Sequence, residues 1–261
     1  MITVERRQKV LEFIKKRGFV ALTDLVRTLD VSESTLRRDL DYWDQRGVIK
    51  RTRGGAIYVA DRHALPALED RATLQLEEKR QIARVAAARI RDGDAVLLDG
   101  GTTTLEVARQ LLGRPLQIVT NSLPIAQLFS GSREADLVIL GGYVFPRTGV
   151  ALGPLTVQMM RDIHVRQAIL SVAGITAKGF FNSNMLLVET ERHMMRCADE
   201  VVVVADHTKF GRQALAFLCE LSAVDTLIVD AGINPEHRRM VEEHGPQLIV
   251  AGETEASEVV S

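Results

Sequence analysis

Between residues 95 and 230 the chain repeats one pattern six times: a short Val/Ile/Leu-rich run, a polar or glycine-rich break and, in most cases, a helix-prone stretch. The runs are Ala95–Asp99, Gln117–Thr120, Asp136–Leu140, Gln167–Val172, Val201–Ala205 and Thr226–Asp230. They are nearly continuous in apolar character rather than alternating, which is what a strand buried on both faces requires. The helical stretches between and after them are Thr103–Leu112, Pro124–Phe129, Pro154–Ile163, Leu187–Ala198 and Pro235–His244. Ahead of them Glu77–Ile90 aligns Ile82, Val85, Ala86 and Ile90 on one side of a helix. Alternating β and α segments of this kind predict an α/β domain with a mainly parallel sheet, covered on both faces.

The first sixty residues read differently. A helix is expected up to Arg17, with Val10, Leu11 and Ile14 at helical spacing. A second carries Leu22, Leu25, Val26 and Leu29 on one face. Ser32 is placed to cap a third, Ser32–Arg46, with Glu33 in its positive first turn. On that helix Leu36, Leu40 and Trp43 share the core face, and Ser34, Arg38 and Asp41 lie opposite, flanked by Thr35 and Arg37. Two β-prone segments then flank a basic turn at Gly54-Gly55, contributing Lys50, Arg51 and Arg53. Three short helices and a basic hairpin form a winged helix-turn-helix: the third helix offers short polar and Arg side chains to the major groove, and the wing touches phosphates. The rival reading is a small helical dimerisation module with solvated charges.

Charge follows the same division. Residues 1–60 hold 13 Lys+Arg against 8 Asp+Glu, a surplus of +5, whereas the remainder holds 20 against 26, or −6. A basic head on an acidic body suits double-stranded DNA as a partner for the head alone. At 46% hydrophobic and 26% charged the composition is that of a globular protein with ample core. No apolar run approaches a bilayer span and no secretory segment is evident, so the expected location is the cytoplasm, away from membranes. Cys197 and Cys219 supply neither a disulfide framework nor a zinc pattern. The expected boundaries are 1–59 for the head, 60–75 for a linker around Pro66, 76–252 for the α/β domain and 253–261 for a flexible tail.

In open α/β sheets, ligands sit at the carboxyl ends of the strands. After the first strand stands Asp99-Gly100-Gly101-Thr102-Thr103-Thr104, running straight into a helix. Glycines let backbone N–H groups approach an anion, the hydroxyls donate further bonds, and the helix N-terminus favours negative charge. A plain βα turn with capping threonines is the alternative. Neither a Walker lysine nor a GxGxxG pattern is present, so no nucleotide cofactor is implied. Neighbouring loops contribute Asn121 and Ser122, Gly142, Gly174, and Asp206 with Lys209, the last suited to a phosphate or a sugar hydroxyl. Together these predict a small polyhydroxylated anion as ligand.

The run Val31-Ser32-Glu33-Ser34-Thr35-Leu36-Arg37-Arg38-Asp39-Leu40, with Gly47, Arg51 and Arg53-Gly54-Gly55 after it and Glu5-Arg6-Arg7-Gln8 before it, resembles the DNA-binding signature of the DeoR family of bacterial regulators. Asp99–Thr104, Thr120-Asn121-Ser122, Gly141-Gly142, Gly153-Pro154 and Ala205-Asp206 with Lys209-Phe210-Gly211 are similar to the family's C-terminal sensor domain. The resemblance implies an operator-binding regulator, usually a repressor; a homodimer or homotetramer whose paired heads read repeated half-sites, with no cofactor, is the expected working form. The resemblance implies a sensor domain similar to ribose-5-phosphate isomerase and the CoA-transferase group. It also implies a phosphorylated sugar as inducer, with Asp99 and Lys209 among its contacts. Phe181-Asn182-Ser183-Asn184-Met185 matches no familiar effector class.

The rival from another class is a sugar-phosphate isomerase with a DNA-binding head. Isomerisation needs a positioned acid and base, for which Glu189, Glu191, Asp206 and Lys209 are candidates. The loop Val172-Ala173-Gly174-Ile175-Thr176, where related isomerases carry paired acids, has no carboxylate. Binding groups without that pair hold a ligand without turning it over, so no catalytic residue is assigned. Glu189 and His193 at i, i+4 lack a third metal ligand and read as an intrahelical pair.

Overall fold

The computed structural model describes residues 3–17, 19–29, 31–45, 48–52, 54–58, 68–146 and 148–253. The chain divides into two units, Met1–Ala64 and Leu65–Ser261.

The first unit consists of α1 (Thr3–Arg17), β1 (Phe19–Ala21), α2 (Leu22–Leu29), α3 (Glu33–Asp44), β2 (Ile49–Thr52) and β3 (Gly55–Tyr58). Ser32 caps α3 as its sequence predicts, its side chain accepting from the Thr35 amide at 3.4 Å. Val10, Leu11, Ile14, Leu25, Leu36, Leu40 and Ile49 form the buried core, so each helix contributes the stripe its periodicity announces. β3 lies between β1 and β2, antiparallel to both. The strand β1 has no sequence signal of its own: three residues between helices are too few to show a period, and their pairing with β3 is decided at a distance. Trp43 packs at the edge of the core rather than inside it, its indole N–H donating to the Arg7 carbonyl at 2.9 Å.

The second unit runs α4 (Leu68–Ala72), α5 (Leu76–Ala88), β4 (Ala95–Leu98), α6 (Thr102–Gln110), β5 (Gln117–Thr120), α7 (Leu123–Phe129), β6 (Asp136–Ile139), β7 (Tyr143–Phe145), β8 (Val150–Leu152), α8 (Pro154–Met159), β9 (Val165–Ser171), β10 (Gly174–Thr176), β11 (Gly179–Asn182), α9 (Met185–Arg196), β12 (Ala198–Val204), β13 (Ala216–Cys219), β14 (Thr226–Asp230), α10 (Pro235–His244) and β15 (Gln247–Ala251). The six apolar runs all become strands of one sheet, and β15 adds a seventh. The order is β15-β14-β12-β9-β4-β5-β6, and every pairing is parallel. Successive residues serve opposite faces: Leu97, Val201 and Val203 belong to one core, while Val96, Leu98, Val202 and Val204 belong to the other. Both faces are therefore dry at the centre of the sheet, whereas the edge strand β6, expected to be covered on both sides, leaves Val138 and Ile139 exposed because no further strand flanks it.

Three features carry no signal in the sequence pattern. A short helix, α4, occupies part of the stretch expected to be a linker. A β7-β8 hairpin and a second sheet, β10-β11-β13, are inserted among the parallel strands. The helix expected over Pro154–Ile163 is α8 followed by a 3₁₀ turn at Met160–Asp162.

Candidate functional site

The strand order sets the position of the crevice. The chain builds β4, β5 and β6 outward in one direction, then returns to place β9 on the other side of β4. The carboxyl edge between β4 and β9 is therefore the switch point, the place where open α/β sheets bind ligands.

Asp99 ends β4 and is fully buried. Gly100 and Gly101 follow, and Gly101 is the N-cap of α6 with an extended backbone and no side-chain cap bond. A Cβ on Gly101 would run into the Ser171 side chain at the end of β9, and one on Gly100 into Val150 of β8. Glycine is needed at both because neighbouring elements close in on the backbone at the switch point. Thr102, Thr103 and Thr104 form the buried first turn of α6. Thr104 spends its hydroxyl on the Gly101 carbonyl at 3.0 Å.

Val150 and Ser122 close on Gly100 from the neighbouring segments. Asn121 is fully buried, donates to the Ala151 carbonyl at 3.2 Å, and keeps its side-chain oxygen unpartnered. Ser122 caps α7. Gly142 and Gly174 are packed against Thr156 and against the backbone of Arg212 respectively, which explains each glycine by close approach. Asp206, buried at the end of β12, caps the turn His207–Lys209, accepts from the Thr208 amide at 3.0 Å, and lies 3.7 Å from the Lys209 ammonium. Desolvation lowers the Lys209 pKa, only partly offset by Asp206.

Glu191, from sequence no more than a catalytic candidate, projects from α9 beneath this region and is fully buried. Asn182 bridges it to β9, its amide donating to Glu191 at 2.5 Å and to the Ser171 carbonyl at 3.2 Å. Neither Asp99 oxygen has a partner at hydrogen-bond geometry, nor does the second oxygen of Glu191. Desolvation pushes Asp99 up to about 7, although the nearby amides of Gly100, Ser171 and Asn121 favour its charged form. Burial, and then the charge of Asp99, push Glu191 well above the ordinary carboxylate range. Two carboxyls that repel in a dry site do not both ionise at neutral pH.

This raises a pH dependence whose sign is fixed. The folded chain holds a proton on Asp99 that the unfolded chain has released above its ordinary value of 3.8. Stability therefore falls as pH rises from about 4 to about 7, and the proton that burial also holds on Glu191 carries the fall further. The calorimetric midpoint of the second unit is expected to drop by roughly a few degrees from pH 5 to pH 8, and Asp99→Asn should flatten that slope. An unchanged slope in the variant would assign the proton elsewhere.

His207 is partnered by Asp230 at the end of β14. Its ring Nδ1 and its amide both meet the buried Asp230 carboxylate at 2.7 Å. His193 bonds the Glu189 carbonyl within α9, and among the described residues no cluster able to hold a metal ion occurs.

In the first unit, α3 leaves Ser34, Arg37 and Arg38 exposed and Thr35 half-buried. Arg37 pairs with Glu33 one turn earlier at 2.5 Å. Thr35 shares its hydroxyl with Ser32 at 2.9 Å. Arg51 on the wing pairs with Asp41 of α3, and its amide donates to Asp44 at 3.2 Å, so the wing is fastened to the helix it flanks. Arg53 and the Lys50 side chain lie outside the described residues. Asp39, also on α3, is buried and accepts from Arg6 at 2.6 Å and Arg7 at 3.0 Å. In the sequence those arginines stand only as part of a family pattern. Their separation of more than thirty residues from Asp39 hides the latch.

A short helix with an exposed arginine face, braced by a β-wing and followed in the chain by a parallel α/β unit, defines a winged helix-turn-helix DNA-binding regulator. Models of the DeoR-like helix-turn-helix domain and of the DeoR C-terminal sensor domain match residues 6–62 and 74–231. The chain is 30% identical to the HTH-type transcriptional repressor GlcR of Bacillus subtilis, over 99% of this chain and 100% of that one. It is 32% identical to the glycerol-3-phosphate regulon repressor of Escherichia coli, over 95% and 99%. Among solved structures, ribose 5-phosphate isomerase A of Methanocaldococcus jannaschii is similar over 52% of this chain and 55% of that one, with a TM-score of 0.39 and 18% identity. The chain belongs to the DeoR family: it is a DNA-binding transcriptional regulator and not an enzyme.

Proposed function

We propose that this regulator represses a carbohydrate-metabolism operon and leaves its operator when a small phosphorylated sugar occupies the crevice between β4 and β9. The observation that carries the reading is the uncapped first turn of α6 opening at the switch point. Its free amides and positive dipole end favour a phosphate, and Asp99, Asn121, Asp206 and Lys209 bring both charge signs to the same edge. Thr102 and Thr103 would face the phosphate, while Gly100, Gly101, Gly142 and Gly174 allow the loops to approach it. Thr104 and Ser122 serve mainly as local caps. The names of relatives, one of them a glycerol-3-phosphate regulon repressor, support the class of signal.

On DNA, α3 would lie in the major groove, with Ser34, Thr35, Arg37 and Arg38 near base edges and phosphates and Lys50, Arg51 and Arg53 along the backbone. Paired heads of a homodimer or homotetramer in the cytoplasm would read repeated half-sites. Arg38 is the most informative position because its guanidinium has no carboxylate partner among the described residues and contacts only the Ser34 carbonyl, at 3.4 Å. Arg38→Ala is expected to weaken operator binding by about 5- to 150-fold, the ~1–3 kcal/mol of one specific base contact. Fluorescence anisotropy on the upstream DNA measures it, and an undiminished affinity would remove Arg38 from the interface.

The reading as a whole is tested by titrating the operator complex with fructose 6-phosphate, ribose 5-phosphate, glycerol 3-phosphate and their unphosphorylated forms. Release by a phosphorylated compound alone is expected. Such release requires the ligand to prefer the non-binding state by about 1–3 kcal/mol. Specific DNA binding that no phosphorylated compound alters would overturn the ligand class.

A further inference from the structure

Among the described residues one edge of the parallel sheet is left open. Strand β6 pairs with β5 on one side alone. Its Asp136 and Leu140 amides donate inward, to the Leu116 and Thr120 carbonyls at 2.9 and 2.8 Å. By the alternation of a strand, Leu137 and Ile139 therefore turn their main-chain groups outward. An open edge is ordinarily blunted by lysine, proline or a bulge. β6 carries neither lysine nor proline. Residues 137–145 hold no charge, and neither do residues 154–159, although a chain 26% charged would place about four charges among those fifteen.

Large apolar side chains are bare along this run instead. Val138 is 43% exposed, Ile139 45%, Tyr143 63% and Leu155 66%, with Val144 and Met159 also exposed. Hydrogen bonds tie α8 to the end of β6: the Gly141 amide donates to Met159 Sδ at 3.2 Å, and Thr156 donates to the Gly141 carbonyl at 2.8 Å. Leu155 and Met159 stand one turn apart on the same side of α8. The opposite edge strand, β15, differs, since its Val250 and Ala251 are buried and its one exposed position is Gln247. A bare apolar surface of this kind marks a site of association.

A second copy of the chain fits this edge. Two β6 strands related by a twofold axis at Val138 run antiparallel, which sets Leu137 of one copy opposite Ile139 of the other. Those are the residues with outward main-chain groups, so they exchange both N–H···O=C bonds, and the two Val138 residues meet in the non-bonded pair between them. The same register holds the two Asp136 carboxylates at opposite ends of the joined strands, whereas a parallel arrangement would stack them. Fifteen residues at the roughly 30–40 Å² each of a standard interface give about 500 Å² per copy, or ~1,000 Å² in all, which reaches the size of a biological contact.

We propose that β6 is the seam of a homodimer: two copies join edge to edge in antiparallel register at Val138, merging two seven-stranded sheets into one, with Tyr143, Leu155 and Met159 packed along its flanks. The inference rests on the paired-head reading above and adds the surface that makes the pair.

Sedimentation of the full chain measures its association, and operator anisotropy measures the consequence. The native protein is expected to be a dimer or a multiple of one. Val138→Lys is expected to raise the dissociation constant of the seam by about 100-fold, because two like charges are buried face to face at the axis. Its far-UV spectrum should stay native while operator binding weakens. If Val138→Lys fails to fold, Tyr143→Lys, outside the core, should also reduce the mass. Val138→Cys tests the register: Cα atoms of a non-bonded pair lie about 4.5 Å apart, within disulfide range. Mild oxidation should therefore give a covalent dimer with Val138→Cys and none with Asp136→Cys. A native oligomer that keeps its mass in folded lysine variants, or that cross-links through Asp136→Cys instead, overturns the seam while the paired-head reading stands. A monomeric native protein overturns both.

Discussion

Asp39→Ala is expected to unfold the DNA-binding unit while the sensor unit stays folded. Asp39 is 1% exposed and accepts from Arg6 Nε at 2.6 Å, Arg6 Nη2 at 3.3 Å and Arg7 Nε at 3.0 Å, so a single carboxylate locks α1 onto α3. The latch extends further, since Arg7 stacks 3.9 Å over the Tyr42 ring and its carbonyl takes the Trp43 indole proton. Removing one member of a buried ionic group costs about 3–5 kcal/mol. The lower end applies here because both guanidiniums can turn toward water. Even that exceeds what a unit of some sixty residues with a small core tolerates. Scanning calorimetry should show the head's transition lost or shifted far down, and operator anisotropy should show no specific binding. Asp39→Asn, which keeps the shape and one acceptor, should fall between. A variant that keeps a native head transition would show that the apolar core alone fixes the angle between α1 and α3.

Lys209→Ala is expected to raise the effector concentration needed for half-release of the operator by about 10- to 150-fold, the ~1.5–3 kcal/mol of a hydrogen bond to a charged group. The ammonium is held at the edge of the proposed site by a turn whose geometry Asp206 and Thr208 maintain without it. The loss is therefore one of ligand contact rather than of loop structure. Equal half-release concentrations for the variant and the native protein would take Lys209 out of the site.

The proposed site is largely legible in the sequence, and for a local reason. A strand that stops at Asp99, two glycines and three threonines opening a helix form a contiguous segment whose conformation follows from short-range sterics and capping. Lys209 is legible in the same way, three residues after a capping Asp206. The Asp99–Glu191 pair is not, because its members are 92 positions apart and nothing in α9 marks Glu191 off from Glu189 two residues earlier. Lys79 gives no signal either: a lysine in a helix reads as a solvated charge, and only its burial under the Arg71–Leu74 turn reveals what it holds.

By itself the sequence determined the kind of each major element and the side each one buries, because helix and strand periods of 3.6 and 2 are properties of the local backbone acting on a pattern of apolar residues. It determined the division into a basic helical head and a parallel α/β body, and the caps and glycines at the turns. Only the tertiary structure decided the order of strands, and with it the switch point between β4 and β9 on which the proposed site depends. Only the tertiary structure also brought Asp39 to Arg6 and Arg7, Glu191 to Asp99, and α4 to α6. Those meetings are set by which distant segments become neighbours when the two faces of the sheet are buried, a choice made by the whole core at once and written in no single stretch of chain.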